Sequence, residues 1–346
     1  MNEMEPTTST TPRARPVSWV RRILLGILIT PFALALLGAL YQSVSSALDR
    51  RSHPMPGQLV DVGGYRLHIY CEGEGSPTVI LDAPNMGTVS NWAWIQPEVA
   101  KSTRVCAYDR ADAGWSDRSP EANDTRMNSE ALHALLRNAD VAGPYILVGH
   151  SFGGLFIRAY ADMYPDETAG MVFIEGTLPD GLLALGQPDV MPNSPGQAMI
   201  DSAPIVSRLG ILRLMNFPAT DPDLPEPQRS ELQTYLSSTN WAESTKRQYH
   251  LFPTLLAQVR ELYIPGSLGS IPVAVVVGSD VLDSIPQWRQ LFDQQGALSS
   301  DYKMYIIEGG THSSILDKQE HAAQTTRAIL EVLEAVRSGR PVAGIR

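Results

Sequence analysis

Ser151 is the residue whose neighbours most plainly suggest chemistry. It stands in Gly149-His150-Ser151-Phe152-Gly153, a Gly-x-Ser-x-Gly pattern set between two apolar runs. Before it, Tyr145-Ile146-Leu147-Val148 is short and β-rich, as a central strand covered on both faces should be. After it, Leu155 to Tyr160 resumes with helical spacing. A serine on an abrupt strand-to-helix turn, flanked by residues without a Cβ, is presented for nucleophilic attack on a carbonyl. The plain alternative is a serine that only caps the helix. A serine hydroxyl attacks well only when a base takes its proton and a carboxylate holds that base in the right tautomer. Of the seven histidines, His53 lies in a connector, His68 in a hairpin, His133 and His321 in helices, His250 in a long insertion, and His150 beside the serine itself. His312 remains, in a glycine-bearing loop after the strand-like run Tyr302 to Ile307. Three acids end apolar runs: Glu175, Asp280 and Asp283.

The elements that must position these groups follow in order. Gln58 to Val62 and Arg66 to Cys71 flank Gly63-Gly64 and read as a hairpin. Thr78 to Asp82, Arg104 to Asp109, Met171 to Glu175 and Pro272 to Gly278 read as further strands, with helices over Asn91 to Lys101 and Thr125 to Ala139. Alternation of this kind argues for an α/β fold with a mostly parallel, doubly wound sheet, its ligands at the carboxyl ends of the strands. Between Glu175 and Pro272 the chain is too long for a loop, and helical patterns over Ala198 to Leu209, Pro227 to Ser238 and Glu243 to Leu262 make it a helical cap. Within it, Ile211 to Phe217 reads as internal cap packing, with an acyl-binding wall as the alternative.

From about Gly57 onward the chain resembles the α/β-hydrolases. The segments PTVILDAP, RVCAYDRADAGWSD, YILVGHSFGG, MVFIEG, PVAVVVGSD and MYIIEGGTHSS fall in the order of that family's strands, and GHSFGG is the form of elbow common among its esterases. The resemblance implies a Ser151, His312, Asp280 triad, because Gly278-Ser279-Asp280 matches the family's pattern for the acid; some relatives use the position of Glu175 instead. It also implies an oxyanion hole from the N–H groups of Phe152 and Asn85, with Met86 as fallback. Pro84 departs from the family's pattern there. Asp109-Arg110 is expected to brace loops, and Trp115 to pack rather than line the pocket. Cys71 and Cys106 should lie on adjacent strands; two buried free thiols are the preferred reading and a disulfide the alternative.

The chain has 346 residues, 43% hydrophobic and 18% charged, with a formal charge of -10 and two cysteines. Such a composition gives no basic surface for nucleic acid and no four-thiolate metal site, so neither a metal nor a cofactor is expected. The organisation read from these patterns is a polar, basic tail over 1–22, a transmembrane anchor over 23–41, a linker over 42–57, the α/β core over 58–177 and 271–346, and the cap over 178–270. Ile23 to Tyr41 carries no charge and is long enough to cross a bilayer. Its length, beyond that of a usual signal h-region, favours an uncleaved single-pass anchor, and the arginines before it place the catalytic part extracytoplasmic; a cleaved signal near Ser45-Ser46-Ala47, and hence secretion, is the alternative. The expected function is hydrolysis of a small carboxylic ester through an acyl-enzyme. A prolyl aminopeptidase, using Glu226, Glu231, Glu243 or Glu261 to hold an amine, and a non-catalytic binding protein remain alternatives.

Overall fold

The computed structural model describes residues 18–85, 87–121, 123–184, 195–285 and 287–345. Met86, most of the basic tail and part of the cap's first stretch therefore lie outside the described residues. Helix α1 (Ser18–Ser52) comes first. The hairpin β1 (Gln58–Asp61) and β2 (Arg66–Glu72) is followed by β3 (Thr78–Asp82), α2 (Gln96–Ala100), β4 (Val105–Asp109), α3 (Thr125–Asn138), β5 (Tyr145–His150), α4 (Gly153–Met163) and β6 (Thr168–Ile174). The insertion holds α5 (Gly181–Ala184), α6 (Pro195–Arg208), α7 (Ile211–Leu214), α8 (Gln228–Leu236) and α9 (Thr239–Arg260). The chain then returns through β7 (Val273–Gly278), α10 (Ser279–Ser284), α11 (Gln287–Gly296), β8 (Tyr302–Ile307), α12 (Ser314–Asp317) and α13 (Gln319–Ser338).

The eight strands form one sheet in the order β1-β2-β4-β3-β5-β6-β7-β8. The hairpin pairs antiparallel with itself and with β4, while β3 through β8 run parallel. Alternate residues of each central strand serve opposite faces, as strand geometry requires. In β5, Tyr145 and Leu147 join a core with Leu135, Ile157, Tyr160 and Phe292. Ile146 and Val148 face the other way, against Trp92, Val99, Ile329 and Val332. Helices α3, α4 and α11 thus cover one face, α2 and α13 the other. The cap has its own small core around Leu212, Leu232, Tyr235 and Trp241, and α9 seats Leu255, Leu256 and Val259 on Leu155 and Phe156 of α4.

Two sequence expectations change. Residues 42–52, read as linker, continue α1 because that turn of helix faces the cap with polar groups: Gln42 donates to the Ser237 carbonyl at 3.1 Å and Asp49 pairs with Arg213 at 2.6 Å. The preferred free thiols are instead a disulfide. Cys71 and Cys106 stand directly opposite each other in the β2–β4 register, as adjacent strands allow, and the structure joins them.

Because that bridge closes a separation of 35 residues, its removal should be felt mainly through the unfolded chain, at about 2–4 kcal/mol. Denatured, unreduced protein should titrate with no free thiol, and Cys71→Ser with Cys106→Ser together should lower the denaturation midpoint. Two thiols per chain in the first measurement would refute the bridge.

Candidate active site

The β5–α4 turn holds Ser151 at φ 53°, the left-handed region that a serine rarely occupies. Several contacts over-determine that conformation. Ser151 N–H donates to the Ile174 carbonyl at 3.1 Å, and its own carbonyl accepts from Thr177 at 2.8 Å. A Cβ on Gly153 would stand 2.3 Å from the Asp82 carbonyl oxygen, and one on Gly154 would stand 2.7 Å from Gly176 Cα. The turn is therefore wedged between the ends of β3 and β6, which is why glycine follows Phe152 twice.

Glu175 lies at the end of β6 and is also left-handed, at φ 39°. Its side chain is buried, and both oxygens are committed: Oε1 accepts the Gly278 N–H at 2.7 Å, and Oε2 sits 2.6 Å from His312 Nδ1. His312 hangs from the loop after β8 with its side chain half exposed. Its carbonyl accepts a hydrogen bond from His150 Nε2 at 3.0 Å, and the two rings lie 4.7 Å apart. Burial, with the neighbouring His312 second, pushes the His150 imidazole well below its usual pKa, so it is neutral and carries its proton on Nε2.

Asp280, the acid expected from the resemblance, is not the carboxylate in contact with His312. Asp280 is exposed in the first turn of α10 and its backbone N–H donates to the Gly310 carbonyl; its carboxylate makes no hydrogen bond to His312 among the described residues. A Cβ on Gly278 would stand 2.1 Å from the Gly310 carbonyl oxygen, so the histidine loop lies against the end of β7. Passing over Gly278, the loop brings His312 down onto Glu175. Asp283 sits further along α10. The sequence signal for Glu175 was a carboxylate ending an otherwise apolar strand next to that of the nucleophile.

The loop after β3 is clamped from below. Arg110 is buried, ion-paired with Asp82, and donates to the Ala83 carbonyl at 2.6 Å and the Pro84 carbonyl at 2.8 Å. Tyr108 donates to the other Asp82 oxygen at 2.5 Å. Asp109 accepts from Val89 N–H at 2.9 Å and Trp115 N–H at 3.1 Å, and meets His68 Nδ1 at 2.9 Å. Bracing is thus what Asp109-Arg110 does. Among the described residues, the N–H groups of Asn85 and Phe152 donate to no protein acceptor. Trp115 packs on the core, tilted against His68 at 5.1 Å, and also lines a cavity of about 430 Å³ with Tyr235 and Asn240.

Asp317, at the end of α12, is buried, and that burial, reinforced by Asp221 and Asp223 and opposed by His312, lifts its pKa to about 7. The folded state therefore holds this proton where the unfolded chain, at about 4, has released it. The sign follows: the group's contribution is intact below about pH 4 and is lost as pH rises toward 7. Between pH 4.5 and 8, the Tm of Asp317→Asn should rise relative to the native chain, at roughly 2–4 °C per kcal/mol regained. Parallel Tm curves would refute it.

Residues 73–328 match the Alpha/beta hydrolase family. An uncharacterized vacuolar membrane protein of Saccharomyces cerevisiae is 30% identical over 129 residues, covering 32% of this chain and 20% of its own length. In eight of the curated relatives the matched stretch spans between 15% and 44% of their length. Among solved structures, an esterase from Thermogutta terrifontis superposes with TM-score 0.59 at 20% identity, covering 81% of this chain and 98% of its own. The epoxide hydrolase CorEH gives TM-score 0.59 at 18% identity, with 79% and 98% covered. At such identities these two speak for the fold alone. With three quarters of its length inside the family match and the sheet order, elbow and histidine loop in place, the chain belongs to the alpha/beta hydrolase family.

Proposed function

We propose that the chain is a membrane-anchored serine hydrolase that cleaves a small carboxylic ester. The observation that carries the reading is the 2.6 Å contact of Glu175 with His312 Nδ1, beside a serine held at positive φ. Glu175 fixes the tautomer that leaves Nε2 bare, and Nε2 takes the Ser151 proton as Oγ attacks the carbonyl carbon. The N–H groups of Phe152 and Asn85 receive the developing oxyanion. Collapse expels the alcohol, which His312 protonates, and water then repeats the sequence on the acyl-enzyme. Among the described residues Ser151 Oγ makes no hydrogen bond to His312, a looseness common before substrate binds.

The nucleophile type separates this reading from epoxide hydrolysis, which in this family uses an aspartate at the elbow. The peptidase alternative loses most of its candidate anchors: Glu226 pairs with Arg229, Glu243 with Arg208, and Glu231 accepts from Ser90 Oγ. The anchor is supported by α1, a helix long and apolar enough to cross a membrane. A signal-peptidase site near Ser45-Ser46-Ala47 would fall inside that unbroken helix, at the stretch that docks on the cap, which favours retention; the arginines before the span favour an extracytoplasmic catalytic part.

The test uses full-length protein in detergent with p-nitrophenyl esters of graded chain length, prolyl-arylamides, and a fluorophosphonate read by intact mass. Ser151→Ala should abolish both ester turnover and labelling. Glu175→Gln should lose kcat by on the order of ten-thousand-fold, the size seen for the equivalent change in a protease triad. Asp280→Asn should stay within a few-fold of native. Collapse in Asp280→Asn with normal rates in Glu175→Gln would move the acid, and an unlabelled native chain would remove the nucleophile.

A further inference from the structure

The segment Ile211 to Phe217 does not pack as a cap interior. Only Leu212 is buried in the cap core, while Leu214 is 70% and Met215 69% exposed; Ile211 and Phe217 are exposed as well. On α6, Met199 and Ile205 are also exposed. Ile211 and Leu214 meet α1. A groove of about 570 Å³ runs between them, lined by Pro31, Leu34 and Leu37 on one side and Leu209, Ile211 and Leu214 on the other. The two sides are fixed to each other. A Cβ on Gly38 would stand 2.4 Å from the Leu209 carbonyl oxygen, so helix and cap meet backbone to backbone. Next to that contact, Arg213 reaches Gln42 at 3.3 Å and pairs with Asp49.

Depth then follows from the charges of α1. Arg21 and Arg22 hold one boundary at the headgroups, and a hydrocarbon layer of about 30 Å takes up roughly 20 residues beyond them, to near Tyr41 or Gln42. Pro31 to Tyr41 therefore lies within hydrocarbon. At about 1.5 Å per residue, the groove-lining positions Leu34 to Gly38 are roughly 5–10 Å below the level of Tyr41. The cap residues touching them share that depth, which is the depth at which interfacial elements settle. Arg213, the one cation inside this stretch, is turned inward onto Asp49 with its side chain 15% exposed. Arg208, where α6 ends, is held by Glu243.

We infer that the α6–α7 tip of the cap is embedded in the leaflet from which α1 emerges, and that lipid acyl chains fill the groove between them. This rests on the anchor reading above and adds to it a second, monotopic contact. The cap is thereby held at one height and orientation over the bilayer.

The measurement is nitroxide accessibility in full-length protein reconstituted into phosphatidylcholine vesicles. The native cysteines are joined to each other, so Leu34→Cys, Leu214→Cys and, as an aqueous control, Glu74→Cys each offer one thiol for the label. Labels at positions 34 and 214 should be relaxed more by oxygen than by a water-soluble nickel chelate, with the order reversed at 74. A lipid-like signal at 34 with a water-like one at 214 overturns the embedding and leaves the anchor standing. Water-like signals at both positions overturn the anchor and the embedding together. A 214 label shielded from both reagents, with spin–spin broadening between chains, overturns it in favour of a second copy on that surface.

Discussion

The close approach of the histidine loop to the end of β7 is the constraint on which the site's layout depends. Gly278 has no side chain, so the Gly310 carbonyl can lie where a Cβ would be, and Asp280 N–H is tied to that same carbonyl at 3.2 Å. The loop is thus laid across one strand end to reach the next. Gly278 N–H points the other way, onto Glu175 Oε1. One residue thereby donates to Glu175 on one side and admits the His312 loop on the other.

Strain at the neighbouring strand ends belongs to the same arrangement. Left-handed backbone at a residue other than glycine costs on the order of 1–3 kcal/mol and persists only where surroundings fix it. Ser151 and Glu175 both adopt it, at the ends of adjacent parallel strands. The links are reciprocal: Ser151 N–H bonds to the residue before Glu175, Ser151 carbonyl accepts from Thr177, and Glu175 N–H donates to Val276 of β7 at 2.8 Å. Three parallel strands thus terminate as one tied unit. The buried Arg110–Asp82 pair does the same for the loop after β3, whose Ala83 and Pro84 carbonyls both accept from Arg110.

What could be read from the sequence divides along physical lines. The strands, the elbow and His312 were legible because each is marked locally, by an apolar run, a glycine pattern or a place at a strand end. The carboxylate that pairs with His312 was not, because Asp280 and Glu175 both satisfy the local rule and only the path of the Gly310 loop separates them. That path is tertiary. The disulfide depended on register, which a one-residue slip would have removed, and sequence gives adjacency without register. The continuation of α1 through residues 42–52 was hidden for a similar reason: Gln42 and Asp49 look like linker polarity until the cap supplies Ser237 and Arg213 as partners.

The same partners give the apolar segment of the cap its meaning. Exposed leucines are ordinary on soluble proteins and need no explanation singly. Here Ile211 and Leu214 lie beside a helix that itself exposes Leu34 and Leu37, so the patch and the span form one apolar surface. A flexible linker would have let the catalytic domain lift that patch away from a bilayer. The rigid junction at Gly38, locked by the buried Gln42 amide and the Asp49–Arg213 pair, leaves it no such freedom. If α1 spans a membrane, the height of the cap is already decided by covalent geometry and three contacts, and with it the face of the cap that meets lipid.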